Sequence, residues 1–169
     1  EMKDPYDWGM LGHCVGPIAG TRIPVLKFKK EVRPGPEDFL YFGAEAATSG
    51  SVAMYHMVKI TPEAPDVESA FGGRKVPAAE VVLTNKDLEA EEDRLTPAVG
   101  DINLVMLGCP HYTYSQLLEV ERLFNGRKVN HNTAFWILAE SGAVELAERS
   151  HLREHLELLG VRMVGNTCI

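Results

Sequence analysis

The chain has 169 residues, 45% hydrophobic and 24% charged, enough for one domain or two small lobes with a real core. A formal net charge of −7, with basic residues scattered in pairs such as Lys29-Lys30, counts against a nucleic-acid binder, and no apolar run reaches the roughly 18 residues of a membrane-spanning helix. Three cysteines, Cys14, Cys109 and Cys168, are an odd number that argues against a secreted disulfide framework, and with no secretory leader visible they fit a reducing cytoplasm.

In chain order, "PYDWGMLGHCVGPIAG" (residues 5–20) reads as a glycine-rich turn with one helical turn, broken by Pro17. "TRIPVLKF" reads as a strand, placed by Pro24 at an edge or bulge. "GPEDFLYFGAEAATSG" (35–50) predicts a helix, with Pro36 in its first turn, Glu37 and Asp38 near its positive end, and Gly50 as its C-terminal cap. "SVAMYHMVKI" predicts a second strand, ended by "TPEAPD". "ESAFGGRKVPA" (68–78) is a glycine-rich connector and the expected boundary between a first α/β lobe, 1–67, and a second unit, 79–169.

Beyond the connector the pattern becomes regular. "EVVLT" predicts a strand and "NKDLEAEEDRL" an acidic helix with a solvated face. "INLVML" (102–107) predicts a strand, followed by the helix "YSQLLEVERLFNG". Thr113 and Gln116 have the capping-box spacing for a start near Tyr114, and Leu117, Val120 and Phe124 mark the buried face of that helix. "TAFWILA" predicts a strand, "GAVELAERSHLREHLELLG" one long helix whose apolar stripe is Val144, Ala147 or Glu148, Leu152, Leu156 and Leu159, and "VRMVG" a last strand. This βαβαβαβ alternation is that of an α/β fold with a mostly parallel sheet flanked by helices.

Chemistry is expected at the carboxyl ends of the strands, where open α/β sheets bind ligands. Cys109 directly follows "INLVML", and Cys168 lies within four residues of "VRMVG". If those strands are parallel, both cysteines share one rim, together with Thr84 and Asn85 after "EVVLT" and Glu140 and Ser141 after "TAFWILA". A helix start near Cys109 favours a thiolate, Pro110 stiffens the turn, and His111 is near enough to donate a hydrogen bond or move a proton. Blander readings compete. A lone cysteine at a strand end is commonly a small buried apolar residue, adjacent residues seldom have the mutual geometry of nucleophile and base, no Cys-x-x-Cys pair suggests zinc, and Ser141 suits an N-cap.

Four stretches carry a further reading: "DWGMLGHCVG", "GAEAATSGSVAMYHMVKITPEAP", "LGCPHYTYSQL" and "VGNTC". In this order they resemble segments of the aconitase X family, the dehydratase branch of the aconitase superfamily. The last of them has Asn166 where that family usually has aspartate, and Lys59 stands where it often has glycine. The resemblance implies an aconitase-like α/β/α domain within a larger enzyme, and an iron site or iron–sulfur cluster. Cys109 and Cys168 match two metal-ligand positions, the third being expected outside this chain. Cys14 falls at a variable position.

The resemblance also implies a small swivelling domain or subunit as partner, supplying the base, and a small hydroxy-acid substrate. The substrate is expected to be of the cis-3-hydroxy-L-proline type, with phosphomevalonate as the runner-up. His111 and Ser115 are the candidate catalytic residues and Thr167 a candidate cofactor-binding residue, each near enough to hydrogen-bond sulfur or substrate. A non-catalytic small-molecule-binding module is the alternative from another class. The chain begins at Glu1 and stops one residue past Cys168, and it reads as a piece of a longer polypeptide, inert by itself.

Overall fold

A computed structural model describes residues 2, 4–74, 76–77, 80–96 and 100–167. The chain forms two compact units, Glu1–Pro97 and Ala98–Ile169. The glycine-rich connector at 68–78 therefore falls inside the first unit. The reason is that the helix following it, α4 (Asn85–Leu95), packs back onto the first helix, α1 (Pro5–Ala19).

The segment read as a glycine-rich turn is this full helix α1. Asp4 caps it by accepting the Asp7 N–H at 3.2 Å, and Pro5 occupies its first turn. Pro17 removes one hydrogen bond near its end, but the helix runs on to Ala19. What holds it is the close approach of α2 (Pro36–Gly50). A Cβ on Gly12 would lie 2.3 Å from the Phe42 carbonyl oxygen, and one on Gly50 would lie 1.9 Å from that of Gly16. The two helices run parallel, backbone against backbone. Trp8, Leu11, Val15, Phe42 and Ala46 form the core of this unit with Met57. Gly50 is the last helical residue rather than the cap, because Gly16 packs directly on it, and Ser51 takes the left-handed cap conformation at φ 61°.

The two predicted strands shrink to β1 (Val25–Leu26) and β2 (His56–Met57), paired in parallel. Pro24 accepts from the His56 N–H at 3.0 Å, a role its carbonyl can fill at the start of a strand. A turn ends β2 at once. Lys59 has φ 65° and donates to the Ala64 carbonyl at 2.7 Å. A glycine here would avoid the strain of a side chain in that conformation. After α3 (Val67–Ala70), the "EVVLT" segment forms no strand, and Val81 and Val82 lie exposed. Without a neighbouring strand to pair with, β propensity alone does not make a strand.

The second unit follows the predicted alternation more closely. Strands β3 (Leu104–Tyr112), β4 (Ala134–Ala139) and β5 (Val161–Gly165) form a parallel sheet in the order β3-β4-β5. Helix α5 (Tyr114–Phe124) starts at the predicted capping box, with the Thr113 N–H donating to Gln116 Oε1 at 2.9 Å. Leu117 and Val120 of α5 meet Ile137, Ala139, Val161 and Met163 of the sheet in one core.

The long last helix is two helices, α6 (Ser141–Arg149) and α7 (Leu152–Leu158), separated by His151 at φ 60°. The five-residue step from Ala147 to Leu152 does not fit a straight helix of 3.6 residues per turn. The break absorbs that step and lets Ala147, Leu152 and Leu156 all reach the core. No helix among the described residues is long and apolar enough to cross a membrane.

Candidate metal-binding rim of the second unit

The feature that sets this rim apart is the end of β3. Its ladder with β4 is regular from Leu104↔Ala134 to Leu107↔Ile137 and resumes only at Tyr112↔Ala139. Residues 108–111 thus stand against the single residue Leu138, a wide bulge of the kind that re-aims side chains beside functional sites. Gly108 makes it possible. Its φ is 136°, and a Cβ there would lie 2.5 Å from Leu138 Cβ and 2.6 Å from the Leu138 carbonyl oxygen. The bulge rests on β4 with no room for a side chain at 108, and Cys109 comes out exposed. Cys109 is therefore not the small buried residue of the bland reading, and it lies within β3 rather than after it. The Cys109–Pro110 peptide bond is cis.

The bulge also carries His111, whose Nε2 donates to the Thr167 carbonyl at 2.6 Å. The end of β3 and the segment after β5 thus meet, as expected for parallel strands sharing a rim. Ser141, on the first turn of α6, donates to Asn166 Oδ1 at 2.6 Å. The N-cap of α6 is Glu140, not Ser141, and the Glu140 N–H donates to the Tyr112 carbonyl at 3.4 Å. Asn166 sits at φ 53°, a left-handed conformation that asparagine and aspartate tolerate better than most residues. Ser115 is exposed in the first turn of α5. Cys168 lies outside the described residues.

Thr84 and Asn85 follow no strand, so the strand end expected to place them on the rim does not exist. They start α4 in the first unit, where the Thr84 N–H donates to Asp87 Oδ2 at 2.7 Å. Cys14 is half-buried in α1 with its thiol 3.9 Å from the Asp87 carbonyl. Burial first, then the carboxylates of Glu91 and Asp87, push this thiol's pKa up, which makes it a poor nucleophile or ligand.

The sequence reading missed one cluster. His13 on α1 lies 3.1 Å from Glu45 of α2 and 3.2 Å from Glu91 of α4, and Arg94 holds Glu91 at 2.7 Å. The hydrogen bond from Arg94, and then the charges of Arg94 and His13, hold the Glu91 carboxyl below its usual range against the opposing effect of burial. This cluster knits three helices together. Its partners are dozens of residues apart, and no local spacing announces them. Among the described residues, no three His, Cys, Asp or Glu side chains gather as a metal site.

Comparison with known proteins agrees with this architecture. The sequence profile of the aconitase X second domain matches residues 1–93, and that of the third domain matches residues 102–169. The chain belongs to the aconitase X family.

It is 32% identical over 99% of its length to a cis-3-hydroxy-L-proline dehydratase of Hypocrea jecorina. It is likewise 32% identical over 94% of its length to one of Pseudomonas aeruginosa. A phosphomevalonate dehydratase large subunit of Methanosarcina mazei is 30% identical over 96% of the chain. The chain spans 28%, 27% and 37% of these three relatives. The crystal structure of Thermococcus kodakaraensis aconitase X in its holo-form covers the whole chain with a TM-score of 0.78 at 24% identity, the chain matching 42% of it. That likeness establishes the α/β fold. The junction between the two profile matches lies beside the division between the two compact units.

Proposed function

We propose that this chain supplies part of the active site of an aconitase X-type hydro-lyase that dehydrates a small hydroxy acid of the cis-3-hydroxy-L-proline type. The observation that carries the reading is the bulged end of β3, which exposes Cys109 on a rim reached also by the segment leading to Cys168. The two relatives at 32% identity favour the hydroxyproline substrate.

An iron ion or iron–sulfur cluster fits these donors in part. Thiolates are suitable ligands for iron, and Cys109 is solvent-exposed. Cys109 and Cys168 would hold the group, with the remaining ligand coming from outside this chain. When bound, the group supplies a Lewis acid for the leaving hydroxyl. The two cysteines would fix the group, the exposed Ser115 hydroxyl would be a hydrogen-bond donor for the substrate, and the His111–Thr167 hydrogen bond ties the end of β3 to the segment after β5. The base comes from a small swivelling domain or subunit, a partner consistent with the large-subunit names of the phosphomevalonate relatives.

The test is to purify the longest polypeptide carrying this sequence without oxygen and to assay dehydration of cis-3-hydroxy-L-proline and of phosphomevalonate side by side. Turnover of the first substrate alone is expected. Turnover of phosphomevalonate alone would move the assignment to the runner-up, and turnover of neither by iron-loaded protein would overturn the dehydratase reading.

A further inference from the structure

Two locally unfavourable features meet at the end of β2. The first is His56. Its Nδ1 is the one buried side-chain nitrogen or oxygen without a hydrogen-bond partner among the described residues. Buried polar atoms are nearly always paired, so an orphan calls for a reason. The His56 main-chain N–H donates to the Pro24 carbonyl at 3.0 Å, but Nε2 has no partner among the described residues either. The residue as a whole is only half-buried. A proton on Nδ1 would be a buried donor with nothing to accept it, so the neutral ring keeps its one proton on Nε2. His56 is thus a donor without an acceptor.

The second is Lys59, at φ 65°. The turn around it is closed by its own main chain. The Lys59 N–H donates to the Ala64 carbonyl at 2.7 Å, and the Ile60 and Thr61 N–H groups donate to the Met57 carbonyl at 3.0 and 2.9 Å. The Met57 N–H donates to Thr61 Oγ1 at 3.1 Å, and Ala64 is fully buried. Glycine at 59 would keep these bonds and lose the strain, so the fold gives no reason for a lysine there. A third residue joins them through the strand register. Val25 pairs with His56 and Leu26 with Met57, and the Val58 N–H donates to the Leu26 carbonyl at 2.9 Å. Side chains alternate along extended chain. Leu26 and Met57 face the core, which puts Val25, Lys27 and His56 on the other face. Strands lie about 4.8 Å apart and rise about 3.3 Å per residue, so Lys27 is one diagonal step from His56. Lys27 and Lys59 are exposed and have no ion-pair partner among the described residues. Lys29 and Lys30 follow Lys27, while Glu31 is taken by Arg33 at 2.7 Å and Glu63 is exposed. On a chain of net charge −7, this corner is basic.

We propose that His56, Lys27 and Lys59 form an oxyanion-binding site at the carboxyl end of the β1–β2 pair, taking a carboxylate or phosphate group of a small molecule. The neutral His56 ring donates its Nε2–H, and the two ammonium groups supply charge and further donors. The carboxyl end of parallel strands is where α/β units bind ligands. A bound oxyanion gives the unpaired ring its acceptor and gives the strained Lys59 its function. The site lies wholly within the first unit and stands apart from the dehydratase reading: it holds whether or not Cys109 ligates iron.

The test is histidine-ring NMR on the full 169-residue chain, titrated with inorganic phosphate and, separately, with acetate. Without ligand, neutral His56 is expected as the Nε2–H tautomer. Saturable shifts of its ring signals are expected while the exposed His131 stays unmoved. Tighter binding of phosphate assigns the site to a phosphate group, and tighter binding of acetate assigns it to a carboxylate. Lys59→Gly and Lys27→Gln are each expected to weaken the tighter probe by about 5-fold or more. Lys59→Arg is expected to restore binding, and Lys86→Gln on α4 to leave it unchanged. Lys59→Gly separates a ligand contact from a structural role, because it is expected to raise the stability of the first unit while lowering affinity. Shifts at His56 no larger than at His131, or an affinity unchanged in both Lys59→Gly and Lys27→Gln, would show an adventitious ion only and overturn the proposal. A neutral His56 carrying its proton on Nδ1 would overturn it as well.

Discussion

Replacing Gly108 with alanine tests whether the bulge of β3 is built as described. The new Cβ would lie 2.5 Å from Leu138 Cβ, 2.6 Å from its carbonyl oxygen and 2.9 Å from its Cα. Two of these are backbone atoms of β4, paired on both sides in the sheet, so the clash cannot be relieved by a rotamer change. Overpacking of this kind costs about 1–3 kcal/mol. A side chain at φ 136° adds strain of about 1–3 kcal/mol. The expected loss is therefore about 2–6 kcal/mol from the second unit. The assay is urea unfolding in a Trp8→Phe background, where Trp136 alone reports on β4. The midpoint should fall with an unchanged slope. Gly142→Ala is the control, since nothing lies within 4 Å of a Cβ there, and alanine in a helix gains up to about 1 kcal/mol. A Gly108→Ala loss below about 0.5 kcal/mol, indistinguishable from the control, would refute the bulge geometry.

Three more predictions concern the first unit, followed through Trp8 in a Trp136→Phe background. Gly12→Ala drives a Cβ onto the Phe42 backbone at 2.3 Å, whereas Gly9→Ala meets nothing closer than 3.5 Å. The first should cost about 1–3 kcal/mol and the second should be neutral or gain up to about 1 kcal/mol. Lys59→Gly removes a side chain from a left-handed position at φ 65° and should raise stability by about 1 kcal/mol in urea titrations. Glu91 has its pKa lowered by Arg94 and His13. Its stabilisation is then present above the usual carboxylate range and lost as pH falls through the lower folded value. Thermal melts between pH 7 and 3 should show a smaller acid-side loss in Glu91→Gln, and an unchanged profile would contradict the assignment.

The second unit was more legible in the sequence than the first, and the reason lies in how each is held together. Between Leu104 and Gly165 the apolar periods switch between two and 3.6, and each switch marks a real strand or helix. One step in that pattern did not fit, the five residues from Ala147 to Leu152, and there the predicted helix breaks at His151. The first unit is held by backbone contact between α1 and α2, which leaves only small residues as a trace. Gly9, Gly12 and Gly16 lie at helical spacing and could have signalled a close helix face, but with Pro17 they read as a turn. "EVVLT" had strand composition without a partner strand, a tertiary fact that no local window contains. At the rim, Cys109 and His111 were legible because glycine, cysteine and proline together interrupt a strand. The tie from His111 to the Thr167 main chain was not, since a carbonyl acceptor 56 residues away leaves no mark in side-chain identity.

The most direct test of the account is the metal itself. Iron and acid-labile sulfide should be measured per chain in the longest polypeptide carrying this sequence, purified without oxygen, unsubstituted and as Cys109→Ser, Cys168→Ser and Cys14→Ser. The account predicts iron in the unsubstituted protein and in Cys14→Ser, and its loss in both rim variants. Iron retained in Cys109→Ser and Cys168→Ser would contradict it, leaving the exposed bulge of β3 a feature of the fold and not of the reaction.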